Sequence, residues 1–185
     1  MPNQMRKDAA RSRRAILDAA RELYADDVTA SFAEIAHRAG VGQATVYRHF
    51  DDRQALLAEL AVEDMGRLEE RVEAQPVDPD SLEALLRELV AEQVRSQGLI
   101  GAIRAGEVDE GRVRELTDRC RELFRPRLEA ARAAGAVRDD LTIEDLMVVL
   151  SMFDGALAPA SGRPERTEAG RRAFEIVTDG LRSKA

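Results

Sequence analysis

The chain has little of what catalytic and metal centres are built from. Its 185 residues include one cysteine, Cys120, two histidines, His37 and His49, and no tryptophan. A single cysteine excludes an internal disulfide and any cysteine-rich zinc site. Packing in a helical core is the ordinary use of such a residue, with intermolecular or redox roles as the alternatives. There is no glycine-rich phosphate loop, metal-ligand cluster or nucleophile elbow. Carboxylate pairs such as Glu69-Glu70 and Asp139-Asp140 are adjacent in sequence. Neighbours on a helix point about 100° apart, so these are poor partners for one reacting group. No catalytic residue, metal ligand or cofactor is expected, and an enzyme is not. Aromatic residues are 4% of the chain, which offers little for stacking on a flat ligand. No apolar run approaches the roughly 18 residues of a membrane span, and the N-terminus has no apolar signal core. The expectation is a cytoplasmic protein with no membrane partner.

Charge is abundant and unevenly placed. Lys and Arg total 28 against 35 Asp and Glu, a formal net of −7. Residues 1–50 nevertheless hold eight basic and six acidic side chains, while residues 51–185 hold twenty and twenty-nine. Arg6, Lys7, Arg11, Arg13 and Arg14 have only Asp8 among them. Such an arm suits phosphate or minor-groove contact, with a solvated, solubilising tail as the alternative. The acidic remainder disfavours nonspecific wrapping by nucleic acid.

The most informative stretch is AEIAHRAGVGQATVYRHFDDRQALL, residues 33–57. Ser31 followed by Glu34 is a capping-box pattern that starts a helix. Ile35, Ala36 and Ala39 keep an apolar stripe, and Gly40 ends the helix in the left-handed conformation. Val41 fills the space between this helix and the next, which Gly42 or Gln43 opens. There Val46 and Phe50 stand four residues apart and face inward, leaving Gln43, Ala44, Tyr47, Arg48 and His49 on the outer rim. Two short helices joined by a tight turn place the second in a DNA major groove. The bland alternative is a helical pair with a solvated polar face.

This string closely resembles the DNA-binding domain of the TetR family of bacterial transcriptional regulators. RRAILDAARELYA, residues 13–25, is similar to the family's first helix, with Ile16, Ala19, Ala20 and Leu23 on one face. FDDRQALLAEL, residues 50–60, is similar to the start of its connecting helix. The resemblance implies that Gln43, Ala44 and Thr45 probe base edges, that Tyr47, His49 and Arg53 hold phosphates, and that Arg48 does either. Arg53 stands where the family usually carries a phosphate-contacting lysine. Thr29 and Ser31, near the second helix's start, and Arg14 of the arm complete the expected DNA-binding set. The match departs at Asp26-Asp27-Val28-Thr29-Ala30, which lacks the family's glycine and aromatic residue. Asp26, Asp27, Asp51 and Asp52 sit badly beside phosphate, although the last two also suit a helix start.

Beyond residue 60 the pattern is helical throughout, so the chain reads as all-α with about nine helices. The expected division is a three-helix DNA-binding domain at 1–55 and a helical ligand-binding and dimerisation domain at 56–185. Leu82, Leu85, Leu86, Leu89, Val90 and Val94 form one stripe. Leu99–Ile103 suits a brief or irregular helix, and Pro126 is expected to bend or divide a helix between about Glu107 and Ala134. The last two helices carry Leu146, Val149, Leu150, Phe153 and Leu157, then Ala173, Phe174, Ile176, Val177 and Leu181. In a monomer these stripes are core. The resemblance implies instead a four-helix interface between two copies, with Val149, Leu150, Phe153, Ala173, Phe174, Val177 and Leu181 in it. Two-fold pairing sets recognition helices roughly 34–36 Å apart on a palindromic site.

The resemblance also implies a small-molecule effector bound in the C-terminal half, for which Leu99, Ile103, Cys120, Phe124, Met147 and Met152 are the candidate lining. Ordinary packing is the competing account of each. The resulting expectation is a homodimeric repressor of double-stranded operator DNA that a ligand releases. Two other classes remain open: a helical ligand- or partner-binding dimer with a degenerate DNA head, and an architectural DNA-binding protein. Salt dependence and a specificity ratio separate the three.

Overall fold

Side-chain caps set several helix boundaries. A computed structural model describes residues 2–26 and 28–182, with side chains from Lys7 onward. Among the described residues there are nine helices and no strand: α1 (Pro2–Leu23), α2 (Phe32–Ala39), α3 (Gln43–His49), α4 (Arg53–Glu73), α5 (Ser81–Arg95), α6 (Gln97–Arg104), α7 (Glu110–Ala133), α8 (Ile143–Leu157) and α9 (Arg163–Leu181). Ser31 caps α2 and Thr142 caps α8, each in a reciprocal box with the acid three residues on, Glu34 and Asp145. These satisfy backbone donors that a helix start leaves orphaned. Gly40 closes α2 at φ 66, and Val41 N–H reaches back to the Ala36 carbonyl at 3.0 Å.

The chain forms two compact units: residues 1–63 with 96–112, and residues 64–95 with 113–185. The boundary expected at 55/56 falls inside α4, which is unbroken and contributes to both. An uninterrupted helix carries no linker signal. In the first unit Ile16, Leu17 and Ala20 of α1 and Tyr24 just after it are buried with Ile35 and Ala36 of α2, Val46 of α3, and Phe50, Leu56, Leu57 and Leu60. Leu17 and Tyr24 are buried where Leu23 was expected, and Leu23 is half-buried. The arm is not a separate tail, since α1 begins at Pro2. α6 also belongs to this unit, where Gly98 N–H donates to the Ala25 carbonyl at 3.3 Å.

In the second unit Leu68 and Val72 of α4, five apolar residues of α5, and Cys120, Leu123, Phe124 and Leu128 of α7 enclose Leu146, Phe153 and Phe174. Pro126 neither ends nor divides α7. Arg127 is buried beside it, and its guanidinium donates to the carbonyls of Leu123 at 3.1 Å and Val72 at 2.7 Å. Val72 lies in the last turn of α4, whose carbonyls lack helical partners, so a buried cation is favourable there. Burial still pulls the Arg127 pKa down, partly offset by Glu73.

Candidate nucleic-acid interface

α3 is seven residues long, too short to stand alone, and is fixed from beneath. Val46 is fully buried and Phe50, whose N–H caps the helix on the Val46 carbonyl, nearly so. That leaves Gln43, Ala44, Tyr47 and Arg48 exposed and Thr45 and His49 half-buried. Tyr47 is 53% exposed, yet its ring packs against Phe32 of α2, 5.1 Å between centroids. The phenol is therefore held at the surface by an aromatic neighbour, which sequence spacing did not reveal. Arg13 of α1 lies over the Phe50 ring at 5.7 Å and pairs with Glu59 at 2.5 Å.

The other expected contacts are less uniformly presented. Arg14 and Thr29 are exposed. The Ser31 hydroxyl is engaged by its cap, donating to Glu34 at 2.7 Å and accepting from the Glu34 N–H at 3.3 Å. The Ser31 N–H, donating to the Glu34 carboxylate at 2.7 Å, and then the Ser31 hydroxyl hold that carboxyl below its usual range. His49 has its Nε2 buried without a partner, so that nitrogen does not face solvent. Burial first, then Arg48 and Arg13, disfavour its protonation. Arg53 turns toward the protein: its guanidinium lies 3.4 Å from Glu107 and 5.8 Å over the Tyr24 ring. Tyr24, in turn, donates to the Ala30 carbonyl at 3.1 Å and anchors the segment leading into α2.

Asp52 is accounted for by the local backbone, since its carboxylate accepts from the Ala55 N–H at 2.8 Å and caps α4. Asp26 and Asp51 are exposed. Asp27 and the side chain of Arg6 lie outside the described residues.

The six candidate ligand-lining residues are divided between the two units. Leu99 is buried and Ile103 half-buried in the first unit, and the other four belong to the second. Cys120 and Phe124 are closed into the helical core with Met147 packed against it, while Met152 is 57% exposed on α8. Burial pushes the Cys120 thiol up to about 12, which leaves no reactive thiolate for redox chemistry. The dimer candidates divide by burial. Val149, Leu150, Phe153 and Phe174 are core residues of their own chain, and Ala173, Val177 and Leu181 pack against that core. The large apolar residues left uncovered on α8 and α9 are Val148, Met152 and Ile176, exposed by 59%, 57% and 59%. Periodicity marked an apolar stripe on each helix; the α8 stripe is buried within the chain, whereas Ile176 of the α9 stripe is exposed.

Residues 16–60 match the model of bacterial regulatory proteins of the tetR family, and residues 78–183 match that of the C-terminal domain of SbtR-like transcriptional regulators. The chain is 42% identical over 88 residues to the HTH-type transcriptional repressor LfrR of Mycolicibacterium smegmatis. That alignment spans 45% of this chain and 44% of the repressor, less than half of either. The HTH-type transcriptional repressor AcnR of Corynebacterium jeikeium is 27% identical over an alignment of 211 residues, covering 99% of this chain and 98% of AcnR. The crystal structure of a TetR transcription regulatory protein from Mycobacterium vanbaalenii superposes with a TM-score of 0.70 at 28% identity, covering 96% of this chain and 99% of that one. The geometry of α1–α3 defines a helix-turn-helix DNA-binding head. The chain belongs to the TetR family of bacterial transcriptional regulators. The family is one of transcriptional regulators. No described helix is long and apolar enough to cross a membrane.

Proposed function

We propose that this regulator is a homodimeric repressor that binds a palindromic operator and leaves it when a small molecule binds. The observation that carries the reading is α3's outer rim: Gln43, Ala44, Tyr47 and Arg48 are exposed on a helix whose other face is buried. Gln43, Ala44 and Thr45 read base edges or a thymine methyl from the start of α3, while Tyr47 and Arg48 reach phosphate or base. Arg14 and Thr29 add exposed flanking contacts. Ser31 contributes only through the hydroxyl electrons its cap leaves free, and His49 only if its ring shifts.

A helix-turn-helix reads a short half-site, so two copies are needed for useful specificity. Val148, Met152 and Ile176 supply the apolar face for that pairing. These three are the interface we assign, in place of the buried stripe. Two relatives named as repressors support the direction of regulation. The effector acts by preferring a state whose heads are wrongly spaced. The protein works in the cytoplasm, on chromosomal DNA.

Tyr47→Ala tests the assignment. Operator affinity should fall at least about tenfold, roughly 1.4 kcal/mol, with the dimer intact. Unchanged affinity in a folded dimer would remove Tyr47 and its face from the reading.

A further inference from the structure

α5 and α9 leave between them a groove of about 790 Å³ that none of the six ligand-lining candidates borders. The helices run antiparallel. Glu83 meets Arg182 at 3.8 Å, Arg87 lies 4.5 Å over the Phe174 ring, and Gly170 faces Val90 and Val94. Val90, Val94, Gly170 and Phe174 make an apolar floor, with Ala91 beside it. A Cβ at position 170 would stand 3.1 Å from Val90 Cγ1, so glycine is what lets α9 lie this close to α5.

The rims are not neutral. Six arginines line the groove, Arg87, Arg95, Arg163, Arg171, Arg172 and Arg182, against three acids, Glu83, Glu175 and Asp179. This excess sits in a part of the chain, residues 51–185, where acids outnumber bases twenty-nine to twenty. It is also polarised along the groove. Arg182 is matched at one end by Glu83 and Asp179. Arg95 and Arg163 line the opposite end, and Arg163 makes no ion pair among the described residues. Arg95 is held by Glu92, and Arg171 by Glu168 and Glu175, in half-exposed pairs one turn apart. Pairs of that kind are weak and exchange readily for an incoming anion.

We propose that this groove binds an amphiphile bearing a carboxylate, with the head at Arg95 and Arg163 and the apolar chain along Val90, Val94, Gly170 and Phe174. Arg87, stacked on Phe174, closes the far end of the floor. From Arg163, which takes the head, to Phe174, where the floor ends, α9 runs about 16 Å at about 1.5 Å per helical residue, which suits a chain of medium length. A cationic head meets the arginine end unfavourably, and a neutral one leaves it unanswered. The consequence for DNA rests on the effector reading above, whereas the binding itself does not.

Titration calorimetry of the full chain, without DNA, tests the groove. Decanoate is the probe and decyltrimethylammonium the control, each below its micellar concentration. Two variants accompany wild type. Ala91→Trp fills the floor, and Arg163→Glu reverses the head charge at a helix start where an acid is well tolerated. The result expected is saturable binding of one decanoate per chain, at least tenfold weaker in Ala91→Trp, at least fivefold weaker in Arg163→Glu, and none of the cation. Absence of saturable decanoate binding, equal binding in Arg163→Glu and wild type, or equal uptake of the cation would overturn the proposal. Should Ala91→Trp not fold, Arg163→Glu alone decides. Operator release is then measured separately: decanoate that binds in the groove without releasing DNA supports the site and counts against the effector reading.

Discussion

Arg53 and Glu107 show how a residue expected at phosphate is presented in the free protein. Their ion pair, at 3.4 Å with both side chains about 40% exposed, holds the guanidinium, while Arg53 Nε is buried without a hydrogen bond. DNA therefore competes with Glu107 for a cation that is not fully satisfied where it rests. Pairs this exposed contribute up to about 1 kcal/mol, so Glu107→Gln should tighten operator binding roughly two- to fivefold. Anisotropy titrations check this, and Arg53→Ala in the same background should erase the gain. His49 gives a second, pH-dependent expectation. Its folded pKa is lowered, so the unfolded chain takes up a proton first, and stability falls as pH drops below about 6.5. Urea titrations at pH 7.5 and 5.5 should show part of that loss removed in His49→Gln; an identical loss in both proteins would contradict the burial account. Tyr47, Val46 and Phe50 were legible in the sequence because helical spacing alone sorts them outward and inward. The Phe32–Tyr47 packing and the Arg53–Glu107 pair were not, since both join residues on different elements.

Caps and turns carried most of what could be read at the level of elements. The Ser31–Glu34 box and the Gly40 stop are local chemistry, visible within four residues. Gly40 at φ 66 has nothing within 4 Å of a would-be Cβ, so its requirement is purely backbone. Gly40→Ala should cost about 1 kcal/mol of stability with no packing loss, measured as a lower urea midpoint at unchanged m. The same local logic says neither which unit α6 joins nor what covers α8. A brief apolar segment at residues 99–103 gave no hint that α6 belongs with the DNA-binding head. On α8, Val149, Leu150 and Phe153 gave the stronger pattern and were read as the partner-facing stripe. The structure spends them on Phe124, Leu146 and Phe174, leaving the sparser Val148 and Met152 exposed. Periodicity identifies an apolar face without saying which neighbour covers it.

Considered whole, the molecule separates a reading head from a helical body that bears an uncovered apolar face and a charged groove. Helix content and family were plain from the sequence because the head's motif is dense and contiguous. The groove was not, because its floor and rims come from α5 and α9, far apart in the chain. Neighbouring residues on α8 should now behave oppositely. Phe153→Ala removes a fully buried ring and should cost about 3–5 kcal/mol of stability. Met152→Glu should leave the fold intact while shifting the chain from dimer to monomer in light scattering, and a Met152→Glu dimer as tight as wild type would refute the α8–α9 interface.

Operator-specific regulation is tested most directly by anisotropy of the purified protein on DNA flanking its own gene against a scrambled duplex, at roughly 150 mM salt. Operator-specific regulation predicts a preference of about a thousandfold or more. Equal, weak binding to both, repeated across other candidate operators, would contradict it.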